Sequence, residues 1–154
     1  MYTYHCRSRR ILDFLAGSSP AAVAQICGCG EYPSISGTLM LFPSQAGVFA
    51  VVSVEGIPDN LGCGNIIAMH IHDPETGAHY NPENAPHPCH AGDMPPIFVE
   101  KNSGWSAFLT ERFDVHEVIG KEIVLHQRRD DFTTQPSGDA GKKIACGKIT
   151  GFNR

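Results

Sequence analysis

The stretch His70–Asp93, HIHDPETGAHYNPENAPHPCHAGD, decides how the rest of the chain is read. It holds five of the chain's eight histidines, far more than an even spread would place there. His70 and His72 close the apolar run Asn65–Ile71 at a spacing of two. On an extended strand that spacing sets both imidazoles on one face and Ile67, Met69 and Ile71 on the other. Such a strand buries its aliphatic side and presents two nitrogen donors on the reverse. His79, His87, His90 and Asp93 follow in a segment that can fold around an ion as a straight strand cannot. Six of the chain's eleven prolines lie between Pro74 and Pro96, which stiffens this segment and lowers the entropy lost on ordering it. A lone His-x-His is equally read as two exposed strand histidines, and His90-x-x-Asp93 alone arises readily by chance. Joined by two further histidines, the patterns point to metal. Neutral imidazole suits copper and zinc, and a carboxylate among histidines is compatible with zinc. Seven donor groups, with His126 counted, exceed the needs of one tetrahedral ion, so two ions are the simpler account.

The whole chain sets bounds on that reading. Its 154 residues and 16.7 kDa suit one domain with a real core. A hydrophobic fraction of 42% with 18% charged residues is ordinary for a soluble globular protein. The net charge of −4 argues against nucleic-acid binding and means that an anionic substrate needs local positive charge near the site. No apolar run approaches the roughly 18 residues that span a membrane. No secretion signal is read at the N-terminus, so the expected location is cytoplasmic. The six cysteines, Cys6, Cys27, Cys29, Cys63, Cys89 and Cys146, follow no even framework spacing, and reduced thiols are the default expectation. Cys6, Cys27 and Cys29 read either as free thiols in a mobile arm or as a soft-metal site with spacing too tight for a zinc knuckle.

Residues 1–25 read as an N-terminal arm with short helical turns near Ile11–Leu15 and Ala21–Ile26, and residues 26–154 as the barrel domain. The domain's pattern is β. Ser34–Phe42 and Gly47–Glu55 flank a turn at PSQA, and a Gly/Pro-rich link leads into Asn65–His72. A long functional loop runs from Asp73 to about Val99. Trp105–Thr110, a short turn at Asp114–Ile119, Glu122–Gln127, a second loop to Lys142 and Lys143–Phe152 complete the chain. Short strands with Gly/Pro punctuation predict an all-β sandwich or Greek-key barrel. In EIVLHQRRDD, His126 shares a strand face with Val124 while Ile123 and Leu125 take the other, and Asp130 enters the following loop.

Together HIH, HYNP, the His79-to-His87 spacing, HAGD, LHQRRDD and GKKIACG resemble the copper/zinc superoxide dismutases from about Tyr32 to Phe152. The resemblance implies an eight-stranded Greek-key β-barrel (an immunoglobulin-like sandwich) with long metal-binding loops and the metals outside the barrel. It implies that His70, His72, His79 and His126 hold copper, and that His79, His87, His90 and Asp93 hold zinc, with His79 bridging. Asp130 falls where the family has a carboxylate linking a copper ligand to a zinc ligand from behind. The implied activity is dismutation of superoxide to dioxygen and hydrogen peroxide, with His79 supplying a proton and Lys143 standing where the family has an active-site arginine. Lysine keeps that charge but not the planar two-pronged donor. Only six residues separate His72 from His79, and the family's longer subloop there carries a cysteine that pairs with the one in ACG. That cysteine is missing, so Cys146 has no family partner, and the oligomeric state, which the same subloop helps set, stays open. Cys63 is too far along an extended chain to reach Cys146, whereas Cys89, between two zinc positions, is at the right end of the fold, making Cys89–Cys146 the pairing to look for. Against the enzyme stand a non-catalytic copper/zinc-binding barrel for metal delivery or storage, and a barrel that binds no metal.

Overall fold

Alternation of aliphatic with polar residues builds this molecule strand by strand. The computed structural model describes residues 17–59, 61 and 65–152; the expected turn at Ile11–Leu15, Cys6 and Cys63 lie outside them. Among the described residues ten strands follow in order: β1 (Ala22–Gly28), β2 (Ser36–Ser44), β3 (Gly47–Glu55), β4 (Ile66–Ile67), β5 (Met69–His72), β6 (Ile97–Glu100), β7 (Ser103–Thr110), β8 (Glu122–His126), β9 (Lys143–Lys148) and β10 (Thr150–Gly151). One helical turn, α1 (Val115–Val118), buries Val115 and Val118, and its entry is fixed by the Asp114 amide donating to the Glu117 carboxylate at 2.6 Å.

The strands pair antiparallel in the order β4-β6-β7-β3-β2-β1-β9-β8-β5, with β10 beside β1. β4 and β5 are one strand interrupted at Ala68, which changes partner there. Ile66 and Ile67 pair with β6, and Met69–His72 with β8. Ala68 itself accepts from the His126 amide at 2.9 Å and donates to the Arg128 carbonyl at 2.8 Å. Taken as one strand, β4–β5 closes the path into an eight-stranded barrel, and the links from β3 to β4 and from β7 to β8 cross between non-neighbours in Greek-key fashion. Closure removes free edges, the standing hazard of an open sheet. Residues of period two fill its interior, among them Ile26, Leu39, Leu41, Val52, Ile67, Met69, Ile71, Ile97, Ile123 and Leu125, all essentially inaccessible to solvent.

Two strands differ from the sequence reading. Ala21–Ile26, expected as a helical turn within the arm, is strand, and Ala22, Ala24 and Ile26 point alternately into the core. β6 lies inside the long segment expected to be loop up to about Val99, with Ile97 and Val99 buried and Phe98 and Glu100 outward. Gly47–Glu55 is strand over the residues expected, and Asp114–Ile119 tightens into α1.

The fold has one direct consequence for the metal-binding reading. Ile71 is fully buried between His70 and His72, so the core grips the strand that carries them. Ile71→Ala is expected to destabilise the chain by about 2–5 kcal/mol through lost burial and a residual cavity, measured as a shift of the urea midpoint at unchanged slope.

Candidate metal centre

Seven predicted donors converge outside the barrel at the end of β5 and β8. β5 presents His70 and His72, and β8 presents His126. The loop between β5 and β6 returns His79, His87, His90 and Asp93. One donor atom from each of His70, His72, His79 and His126 lies within 4.8 Å of every other, and the same holds for His79, His87, His90 and Asp93. His79 belongs to both sets. The loop is stitched to the strand through His79 opposite His72 and Asp93 opposite His70, and through the Tyr80 amide to the Ile71 carbonyl at 2.8 Å.

Each imidazole has two nitrogens, and the structure divides their work. His70 Nε2 donates to Asp130 Oδ2 at 2.7 Å, and His87 Nε2 to Asp130 Oδ1 at 2.9 Å. His72 Nδ1 donates to the Gly77 carbonyl at 2.9 Å, and His126 Nδ1 to the Gly141 carbonyl at 3.2 Å. These acceptors put the proton on the outer nitrogen and leave a lone pair on the inner one, the tautomer a metal requires. The inner nitrogens face one another: His72 Nε2 and His126 Nε2 are 3.2 Å apart, as two lone pairs can be only with a cation or proton to share. His79 Nδ1 lies 2.6 Å from Asp93 Oδ1 and 3.3 Å from His90 Nδ1. His70 Nδ1, His79 Nε2 and His87 Nδ1 are buried with no hydrogen-bond partner; His87 Nδ1 is 3.0 Å from Asp93 Oδ2 but misaligned for a bond. Buried polar atoms rarely go unpaired. Three orphaned nitrogens, one in each set and one on the residue common to both, fit two ions of the imidazole-preferring kind.

Electrostatics supports the same division. Burial, reinforced by the neighbouring His79, pushes His70 down to about 3, and burial likewise lowers His72 to about 4. Burial also lowers His126. Burial alone would raise Asp93, but the hydrogen bond and charge of His79 carry it down to about 2. In Asp130 burial is opposed by the Phe132 amide, His87 and His70, and its pKa too is lowered. Neutral imidazoles facing ionised carboxylates are the protonation states in which these groups ligate.

Several parts of the site escape sequence reasoning. Arg112 Nη1 donates to the carbonyls of Pro88, His90 and Asp93 at 2.9, 3.1 and 3.2 Å, clamping the loop that carries four of the donors. A single arginine in a polar turn gives no signal of that role. Gly138, at φ +69°, packs so tightly that a Cβ there would overlap Asp130 Oδ1. Gln135 accepts from the His87 amide at 3.0 Å and donates back to its carbonyl at 2.6 Å. Lys143, the register partner of His126, turns to Glu122 at 2.6 Å. The Cys89–Cys146 bond is not formed, and both thiols are free. The physical reason is placement: Pro88, next to Cys89, is held by Arg112 just past β7, whereas Cys146 lies on β9, with β3, β2 and β1 between them in the sheet path.

Residues 35–149 match the family described as copper/zinc superoxide dismutase (SODC). The chain belongs to the copper/zinc superoxide dismutase family. Among relatives, it is 30% identical over 139 residues to "Superoxide dismutase [Cu-Zn] 2" of Aquifex aeolicus, covering 75% of this chain and 79% of that one. "Extracellular superoxide dismutase [Cu-Zn]" of Rattus norvegicus is 29% identical over 136 residues, covering 75% of this chain and 55% of the rat protein. The chain thus spans most of the bacterial protein but only about half the length of the mammalian one. A "Superoxide dismutase-like protein YojM" of Bacillus subtilis is 27% identical over 92 residues, covering 50% of this chain and 47% of that protein. The family uses copper and zinc, and the two donor sets suit both ions. No helix among the described residues is long and apolar enough to cross a membrane.

Two outcomes test the site. Asp130→Ala removes the acceptor of two ligand histidines, and metal affinity is expected to fall about 10–100-fold with the barrel still folded, read by competitive chelator titration and far-UV circular dichroism. The second concerns pH. His70 and His72 have folded pKa values below their unfolded value of 6.5, so acid loads protons onto the unfolded chain first. Their contribution to stability is complete above about pH 6.5 and is lost as pH falls toward 3–4. Urea midpoints of the apo-protein across pH 8 to 4 should therefore decline most steeply below the histidine range.

Proposed function

We propose that this protein dismutates superoxide, with His70, His72, His79 and His126 holding copper and His79, His87, His90 and Asp93 holding zinc. The observation that carries the proposal is His79: its Nδ1 sits in the set with Asp93, and its Nε2 is an orphaned buried atom on a residue shared with the three-histidine set. A store for either metal needs no common ligand. The chemistry that bound copper would supply is one-electron exchange, oxidising one superoxide to dioxygen and reducing the next to hydrogen peroxide, while zinc has no redox chemistry.

The chain's own residues do the rest. His79 and His126 line a cavity of about 570 Å³ with His72, Tyr80, Asn81 and Ser137, so a small anion reaches the donor set from solvent. His79, whose ring lines that cavity, would be able to hold a proton on Nε2 and pass it to reduced substrate. Asp130 keeps His70 and His87 in the ligating tautomer throughout. Pro82 and Pro136 contribute apolar wall to the cavity.

Charge around the cavity bears on turnover. Among the described residues that line it there is no lysine or arginine. Lys143 stands beside His126 in register but is tied to Glu122, which weakens its pull on an incoming anion. That pairing favours the second reading, a copper/zinc-binding barrel without turnover that serves metal delivery or storage. The deciding experiment is superoxide consumption by protein loaded with both metals, with bound metal quantified in the same sample. Full loading without turnover would establish the delivery or storage reading.

Under the dismutase reading, Lys143→Glu should slow the reaction well beyond Lys143→Ala, and Lys143→Arg should preserve it. Glu122→Gln frees the lysine and should raise kcat/KM several-fold, inside the roughly 10–10³-fold range open to electrostatic steering. Raising ionic strength from about 0.01 to about 0.1 M should shrink these differences as the screening length falls to about 10 Å. Rates indifferent to both salt and charge reversal would remove Lys143 from the substrate's path.

A further inference from the structure

Cysteine plays no part in the donor sets, yet two thiols face each other across one short ladder on the far side of β9. β1 and β9 run antiparallel, with Cys27 opposite Cys146 and Gly28 opposite Ala145. The Cys29 amide donating to the Ile144 carbonyl at 2.9 Å extends the same register. Ala24 and Ile26 point into the core, so Cys27 takes the outward side and is exposed. Ala145 and Gly147 are buried on either side of Cys146, whose side chain is half-buried on the outward face beside Glu122. The Cys29–Ile144 bond makes Cys27 and Cys146 a hydrogen-bonded pair of the ladder, whose Cα atoms lie about 5.5 Å apart, inside the window of about 4.4–6.8 Å that a disulfide requires. Their side chains also rise from the same face.

We propose that Cys27 and Cys146 form a cross-strand disulfide under oxidising conditions, tying the first strand of the barrel to the strand that opens beside the metal centre. The position gives the bond its value. β1 meets β9 in register only through Cys27 and Gly28, because its other end, Ala22 and Val23, is taken by β10. By contrast β2 and β3 pair along their whole lengths, from Ser36 opposite Glu55 to Ser44 opposite Gly47. The β1–β9 ladder is as short as the one joining β6 to β7, which also has two register pairs. The bond also touches the charge network near the cavity. Cys146 lies beside the Glu122 carboxylate that holds Lys143, so oxidation changes the surroundings of that pair.

A small-molecule disulfide is a sufficient oxidant. The exposed Cys27 thiolate attacks one of its sulfurs, breaks the S–S bond and expels one thiolate, leaving a mixed disulfide on Cys27. Cys146, once deprotonated, attacks the Cys27 sulfur and expels the second thiolate. The two protein thiols give up two protons and two electrons, and the external disulfide becomes two thiols. Burial and the Glu122 carboxylate push the Cys146 thiol up to about 11. The closing step is accordingly slow, and reopening by attack at Cys27 must expel a poor leaving group.

The test incubates the full chain with oxidised glutathione or with dithiothreitol, then alkylates, digests and maps it. The proposal expects an intact mass lower by two hydrogens, a peptide cross-linking Cys27 to Cys146, and a melting temperature about 10 °C above the reduced protein for so long a closed loop. Cys29→Ser should keep the cross-link, while Cys27→Ser should yield none involving Cys146. A link from Cys146 to Cys29 or Cys89, or only glutathione adducts on Cys27, would overturn it. Mapping uses the unmutated chain, so its result does not depend on any variant folding, nor on whether the metal centre turns over superoxide.

Discussion

One carboxylate constrains the whole centre. Asp130 sends Oδ2 to His70 on β5 and Oδ1 to His87 in the loop, and takes the Phe132 amide at 2.7 Å on the same Oδ1. A strand ligand and a loop ligand are thereby set relative to each other by two charge-assisted bonds from one side chain that is itself buried. Moving His70 would leave the buried Oδ2 unpaired, a cost of about 1–3 kcal/mol, while Oδ1 would keep the Phe132 amide if His87 moved. Gly138 seals this arrangement, since any larger residue there would collide with the carboxylate.

Around that pivot the barrel acts as a rigid frame and the loops as jaws. The strand ligands owe their direction to aliphatic neighbours locked in the core, Ile71 and Met69 on β5 and Leu125 on β8. The loop ligands owe theirs to Arg112, which gathers three carbonyls beneath them, and to Gln135, which brackets His87. Carbonyls of Gly77 and Gly141 hold His72 and His126. Protein groups rather than solvent orient these donors, and a site organised in this way demands little reordering when it is filled.

Histidine is scarce and His-x-His on a strand sets both rings on one face, which made the clustered donors legible in the sequence. Alternation likewise made β3 and β8 readable. β1 was hidden because AVAQICG sets only Val23 and Ile26 as β-branched residues among alanine, glutamine, cysteine and glycine, and only pairing with β2 reveals its inward face. β6 was hidden by the prolines before it, which prolong the character of a loop. Arg112, Gln135 and the Lys143–Glu122 pair were not legible at all. Their partners lie 19–48 or 21 residues away, and long flexible side chains choose them only once the fold is closed. The same closure separates Cys89 from Cys146, a distance that position along the chain does not reveal.

Under the proposed loading, the shared imidazole makes the two donor sets one thermodynamic system. A ligand common to both cannot be engaged on one side without changing its basicity on the other, so occupancy of either set alters the affinity of its neighbour. Linkage makes that influence mutual and equal in size: whatever factor the first ion confers on the second, the second confers on the first. Loading order then changes the route by which the centre is filled but not its final free energy. A substitution in the loop, such as one at Arg112, acts at a distance on the strand donors through that ring and through Asp130, which holds His70 and His87 together.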